Sequence, residues 1–175
     1  MFVLNIFLGT AIFFRGGRNR INLLFASISL FVGLWSVSIV GFYSEIGIEN
    51  INWAVFSHVF ALAVSLVFFL FAASFPSTLI KNKIYYIFII FPFLAVTLLL
   101  LFTDEIIDKT INFTYSMNEL YVLYALLITT YFTSGYIFLF VQYKKTDDDV
   151  IRDQIKLILG GSMVASSLGT IADMF

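Results

Sequence analysis

The chain has 175 residues, of which 61% are hydrophobic and only 12% charged, with a formal net charge of −1. A soluble domain carries about 25% charged residues, so this chain lacks the polar surface to cover a soluble globule. It has no cysteine and one histidine, which excludes disulfides, thiolate metal sites and a multi-histidine metal or haem centre within one chain, and its charge balance leaves no basic arm for nucleic acid.

The hydrophobic residues come in long runs. Runs of about 20 apolar residues cross a bilayer as helices, because in lipid only a helix satisfies its own backbone. The expected fold is therefore all-α: a polytopic transmembrane helix bundle forming one domain over residues 1–175. Six segments are predicted, at residues 2–14, 21–43, 53–75, 84–103, 120–141 and 157–175. The first is short for a span. A signal peptide would carry its basic residues before the apolar run, whereas here Arg15, Arg18 and Arg20 follow it. A reverse anchor fits better. Short connections favour antiparallel neighbours. The last segment runs to Phe175 without a flanking charge, which predicts a fragment boundary with more protein beyond it.

Loop charges give the expected orientation. Arg15, Arg18, Arg20, Lys81, Lys83, Lys144, Lys145, Arg152 and Lys156 all lie after the first, third and fifth segments, and only Lys109 lies in the other two loops. The basic side should be cytoplasmic. A multi-pass protein of the cell membrane with its N-terminus outside is the expectation, and the bilayer is its first partner.

Several short patterns occur in a family-like order. Asn19-Arg20 precedes Phe25-Ala26-Ser27. Leu34-Trp35-Ser36 is followed some ten positions on by Glu45. Trp53 opens the third segment, and Phe75-Pro76 closes it. Arg152, Gln154, Lys156, Leu159 and Gly160 lead into the sixth. In this order and spacing the chain resembles the seven-helix N-terminal membrane sensor region of bacterial histidine kinases and diguanylate cyclases. The resemblance covers nearly the whole chain. It implies a sensory input domain that perceives an extracellular or membrane-derived signal, a small molecule or a lipid, and passes it to a C-terminal kinase or cyclase domain, often as a homodimer. Two features depart from the family: a seventh helix is missing, and there is no phosphoacceptor region or nucleotide-binding box. The chain would then be the sensor half alone, without catalytic residues, cofactor or metal.

Candidate ligand contacts follow from polar groups in apolar segments. His58 lies about 7 Å inside the third predicted segment, with Ala61, Ser65 and Ala72 on the same face. Small residues line helix contacts in membranes, so His58 should face the bundle, as a packed histidine or as a ligand or proton contact. Asp173 lies about 24 Å along the sixth segment, in the outer leaflet. An intramembrane carboxylate is costly and suggests function, unless the segment ends there and Asp173 is interfacial. Trp35 lies past the midplane on the second segment, whose Ala26, Ser29, Gly33 and Ser36 form a small face. Packing or lipid contact explains Trp35 more simply than ligand stacking. Tyr115, Tyr121 and Tyr124 cluster around the outer start of the fifth segment. They suit an interfacial belt, or with His58 and Asp173 an outward-facing pocket.

The run Asp147-Asp148-Asp149 with Asp153 suits a helix start, where carboxylates cap free N–H groups. A membrane prenyltransferase would use such a run for magnesium diphosphate, but it needs a second acidic cluster facing the first, and no other inner loop supplies one. A small transporter or channel component ranks between the sensor and the enzyme. Against it stand few intramembrane charges and no visible inverted repeat, with Pro92 alone interrupting a segment interior.

Overall fold

The computed structural model describes residues 2–15, 19–44, 50–80, 82, 84–108 and 116–172. Among them lie six helices: α1 (Phe2–Arg15), α2 (Arg20–Ser44), α3 (Asn50–Ser74), α4 (Ile84–Phe102), α5 (Tyr121–Lys145) and α6 (Asp149–Ala172). A two-residue antiparallel pair, β1 (Ile107–Asp108) and β2 (Ser116–Met117), joins the ends of α4 and α5, with Ile107 opposite Met117. The fold is an all-α transmembrane bundle. Helices α2 to α5 are each long and apolar enough to cross a membrane, whereas α1, at 14 residues, is shorter than a full span.

Helix α3 is the centre. Half of its apolar stretch is buried inside the protein, against 11% for α4. It packs against α2, α4 and α5, while α1 lies on α2 and α6 on α5. The exposed face of α4, including Ile87, Phe88, Phe91 and Leu98, is the apolar surface that lipid would cover. Close approach depends on small residues. A methyl group on Gly9 of α1 would stand 3.1 Å from the Ala26 carbonyl oxygen of α2, and one on Gly135 of α5 would stand 2.8 Å from the Phe68 ring of α3.

The ends of the helices are tied by polar contacts. At one end the Arg20 guanidinium donates to the Tyr86 hydroxyl at 2.6 Å and lies over its ring, joining the starts of α2 and α4. At the same end the buried Gln142 amide of α5 donates to the Ser77 carbonyl just past α3, at 2.6 Å. The start of α2, the end of α3, the start of α4 and the end of α5 thus share one end of the bundle, where Arg20, Lys144 and Lys145 also lie. At the other end the α4–α5 connection is no simple polar loop. Ile106 and Ile107 are both only 1% exposed and insert into the core beside Val55, Leu100 and Tyr124.

Proline 92 sits inside α4 and removes one helical N–H donor. Neighbouring helices can satisfy carbonyls in such a region. The donor lost at Pro92 would have met the Phe88 carbonyl, and the Tyr131 hydroxyl of α5 donates to the adjacent carbonyl, that of Ile89.

Three segment boundaries among the described residues differ from the sequence expectation by three residues or more. The fifth helix continues to Lys145 and the sixth begins at Asp149, so only residues 146–148 separate them. Hydropathy misses these turns because they are charged, yet their charges favour a helix. Asp148 accepts N–H bonds from Val150 at 2.9 Å and Ile151 at 3.3 Å, capping α6. Asp149–Arg152 and Asp153–Lys156 then pair one turn apart. The third helix also begins earlier than expected, at Asn50, which places His58 about 12 Å from its start rather than 7 Å.

Candidate functional site

The start of α3 and the start of α5 meet at the end of the bundle opposite the basic residues. His58 is 9% exposed on α3. Its Nδ1 lies 2.7 Å from the Ala54 carbonyl oxygen, one turn back. A carbonyl only accepts, so Nδ1 carries the proton, and in the neutral ring Nε2 carries the lone pair. The Ser57 hydroxyl donates to the same carbonyl at 2.7 Å. These contacts fix the ring plane.

Two tyrosines from α5 complete the cluster. The Tyr124 ring centroid lies 5.3 Å from that of His58, and Tyr121 meets the imidazole edge-on at 6.0 Å. The two tyrosine rings are 5.3 Å apart. Residues three apart on a helix project to one side, which is why both reach the same histidine. The buried Tyr124 hydroxyl donates to the backbone carbonyl of His58 at 3.1 Å, a direct tie between α3 and α5. Nearby in sequence, the Asn118 amide donates to the Asp104 carbonyl at 2.6 Å, tying together the two segments that flank the β1–β2 pair.

Three of the five candidate ligand contacts, His58, Tyr121 and Tyr124, thus come together. Trp35 does not join them: it is half-buried on α2, and among the described residues no ring contact links it to the cluster. Asp173 and Tyr115 lie outside the described residues, as does the sequon Asn112-Phe113-Thr114. The sequence reading missed Ile106 and Ile107, which are buried in one core cluster with Tyr124. The Ile-Ile pair inside an otherwise acidic loop was the available signal.

Chemically, the cluster offers aromatic faces, one imidazole and a tyrosine hydroxyl. These groups can stack, accept or donate hydrogen bonds and exchange a proton at Nε2. No group of three or more metal-ligating side chains occurs among the described residues. Among the aspartates at the other end, Asp148 caps α6, and Asp149 and Asp153 are in ion pairs.

Comparison of the chain with known protein families, with curated proteins and with solved structures gives no match.

Proposed function

We propose that this chain is a membrane-embedded sensory input domain, which perceives an extracellular or membrane-derived signal at the His58–Tyr121–Tyr124 cluster and passes it to a C-terminal signalling domain. One observation carries the reading. The cluster that offers ligand chemistry is also the point where α3 and α5 are tied at one end, and the same two helices are tied again at the other end by Gln142 and Ser77. There α6 begins, with Ile155 packed against Phe68, Ala72 and Leu139. A ligand that binds two arrangements of the cluster unequally would shift the balance between them. The shift would reach α6 through α3 and α5. The resemblance to sensor regions of histidine kinases and diguanylate cyclases supports the same reading, in which kinase or cyclase activity belongs to the attached domain and not to this bundle.

In this reading the basic end is cytoplasmic and the cluster lies in the outer leaflet of the cell membrane. The absence of cysteine makes the orientation simple to test. Single cysteines near Asn50 and Thr110 should react with an impermeant thiol reagent in intact cells, and those near Asn82 and Thr146 should not. The reverse pattern would place the cluster on the cytoplasmic side.

Transmission is tested by removing one oxygen. Tyr124→Phe keeps the ring and loses the donor to His58. In bilayers, deuterium uptake over residues 144–156 should change along with uptake at the start of α3. A change confined to the outer end would reject the transmission. A small transporter is the second reading: Pro92 interrupts one spanning helix, although a transporter would pair it with a matching break in a second helix. Solute flux in proteoliposomes, with no response of residues 144–156 to Tyr124→Phe, would select it.

A further inference from the structure

Positive charge is unevenly balanced along the chain. From Met1 to Ser44 and from Asn50 to Thr103 the sequence holds no aspartate or glutamate, yet these stretches carry Arg15, Arg18, Arg20, Lys81 and Lys83. Around the α5–α6 connection, Lys144, Lys145, Arg152 and Lys156 are interspersed with Asp147, Asp148, Asp149 and Asp153. There Asp149–Arg152 and Asp153–Lys156 are ion pairs. The segments that lead into α2 and α4 thus carry five cations and no anion, and the α5–α6 connection carries four of each.

The starts of α2 and α4 are held together by Arg20. Its guanidinium donates to the Tyr86 hydroxyl at 2.6 Å and lies 5.1 Å from the ring centroid, and that hydroxyl donates in turn to the Ile80 carbonyl at 3.3 Å. The tyrosine orients the guanidinium while using one of its five N–H donors, and Arg20 stays exposed. Its depth follows from α4. Nineteen residues make about 28 Å of helix, close to the ~30 Å hydrocarbon core of a bilayer. Tyr86, in the first turn, therefore lies at the edge of the core, and the guanidinium lies at the level of lipid phosphates. Along the span, α2 and α4 both pack on α3. Leu23 and Leu30 continue the Arg20 face of α2, and Ile90 continues the Tyr86 face of α4. These three are 51%, 44% and 37% exposed.

We propose that the Arg20–Tyr86 bridge binds the phosphate of an anionic phospholipid, whose acyl chain lies along Leu23, Leu30 and Ile90. The planar fork of arginine matches two phosphate oxygens, and basic sites between spanning helices attract anionic headgroups. Arg15, Arg18, Lys81 and Lys83 on the same two segments select a headgroup of net negative charge over a zwitterionic one. The apolar residues below the bridge suit the chain that follows the headgroup into the core. This site stands at the opposite end of the bundle from His58. It rests on the bundle spanning a bilayer and not on the sensor reading, and would serve a transporter equally.

The cysteine-free chain allows lipid contact to be read position by position. Leu23→Cys carries a bimane label at the site, and Leu98→Cys carries it at an exposed position in the other half of α4. Each protein is reconstituted into vesicles that mix phosphatidylglycerol with phosphatidylcholine, one of the two being brominated so that it quenches the label on contact. Phosphatidylglycerol should be preferred several-fold at Leu23 and not at Leu98. Arg20→Gln should reduce the Leu23 preference to that of Leu98. Lys81→Gln with Lys83→Gln leaves the bridge in place and should lower the preference in part, which keeps the test valid should Arg20→Gln fail to reconstitute. Lys144→Gln with Lys145→Gln should leave it unchanged. Equal preferences at Leu23 and Leu98, or a preference that Arg20→Gln leaves intact, would overturn the proposal. Absence of quenching at Leu23 by either lipid would mean that a protein segment covers the groove, and would overturn it as well. Inorganic phosphate, compared with chloride at equal ionic strength, should not displace the lipid; loss of the preference in phosphate would assign the site to a free anion instead.

Discussion

Replacing Gly135 with alanine isolates the energetics of the α3–α5 contact. The added methyl would stand 2.8 Å from Phe68 Cε1, 3.0 Å from Cδ1 and 3.5 Å from the Phe69 Cα. The Phe68 ring must move, yet it is packed at 5.5 Å from the Phe132 ring and 5.2 Å from the Tyr136 ring, both on α5 itself. Retreat therefore separates the helices or disturbs those rings. Overpacking of this kind costs about 1–3 kcal/mol. Alanine returns about 1 kcal/mol of helix propensity, so the net destabilisation should be roughly 0–2 kcal/mol. Gly160→Ala is the control, since its methyl would meet nothing within 4 Å. It should keep the propensity gain and leave the bundle stable or about 1 kcal/mol more stable. Reversible unfolding of both variants in detergent micelles measures the difference. A Gly135→Ala protein as stable as Gly160→Ala would show that α3 and α5 do not approach this closely.

Further tests address the polar ties. Gln142→Leu removes the buried amide and should destabilise by about 1–3 kcal/mol. Ser77→Ala should cost less, because the shorter bond from Gln142 goes to the Ser77 backbone carbonyl and survives; equal losses in micellar unfolding would contradict this assignment. Tyr131→Phe removes the donor to the Ile89 carbonyl near Pro92, with an expected loss of about 0.5–1.5 kcal/mol and faster amide exchange in the middle of α4. Exchange unchanged in α4 would mean that Tyr131 has no part in holding that region. Asp148→Ala should weaken the start of α6 by about 0.5–2 kcal/mol while Asp148→Asn keeps most of the cap, read as amide protection at Val150 and Ile151. Equal protection in both variants would remove Asp148 from the capping role.

The sequence shows its spans well because hydropathy reports what lipid demands of a helix. The location of His58 on a small-residue face was legible for the same reason: Ser65 and Ala72 are fully buried with it. Tyr121 and Tyr124 were legible as a pair by their spacing. What decides that they meet His58 is the antiparallel packing of α3 and α5, and a single sequence does not specify which helices touch. The start of α6 was legible in the aspartate run, which suits a helix start and does cap one at Asp148, but not in hydropathy, which begins the sixth segment only at residue 157. Its first two turns are stabilised by a cap and by pairs of opposite charges, and those same charges end a hydropathic segment. Ile106 and Ile107 were hidden in the opposite way, as an apolar plug too short to register in a loop rich in acids.

The buried polar groups of α5 share one arrangement. Tyr124 donates to the His58 carbonyl, Tyr131 to the Ile89 carbonyl and Gln142 to the Ser77 carbonyl. Each donor is a side chain of α5, and each acceptor is backbone on another segment. A carbonyl has a second lone pair after its helical bond is made, so these acceptors ask nothing of the acceptor's side chain. They do fix position. Sliding α5 by one residue moves it about 1.5 Å along its axis, enough to break bonds near 3 Å at both ends at once. The glycine contact at Gly135, between those ends, resists separation. Helices α3 and α5 therefore act as one strut, and a motion joining the His58 cluster to α6 has to tilt or rotate the pair together. Piston movement of α5 alone would have to break all three ties.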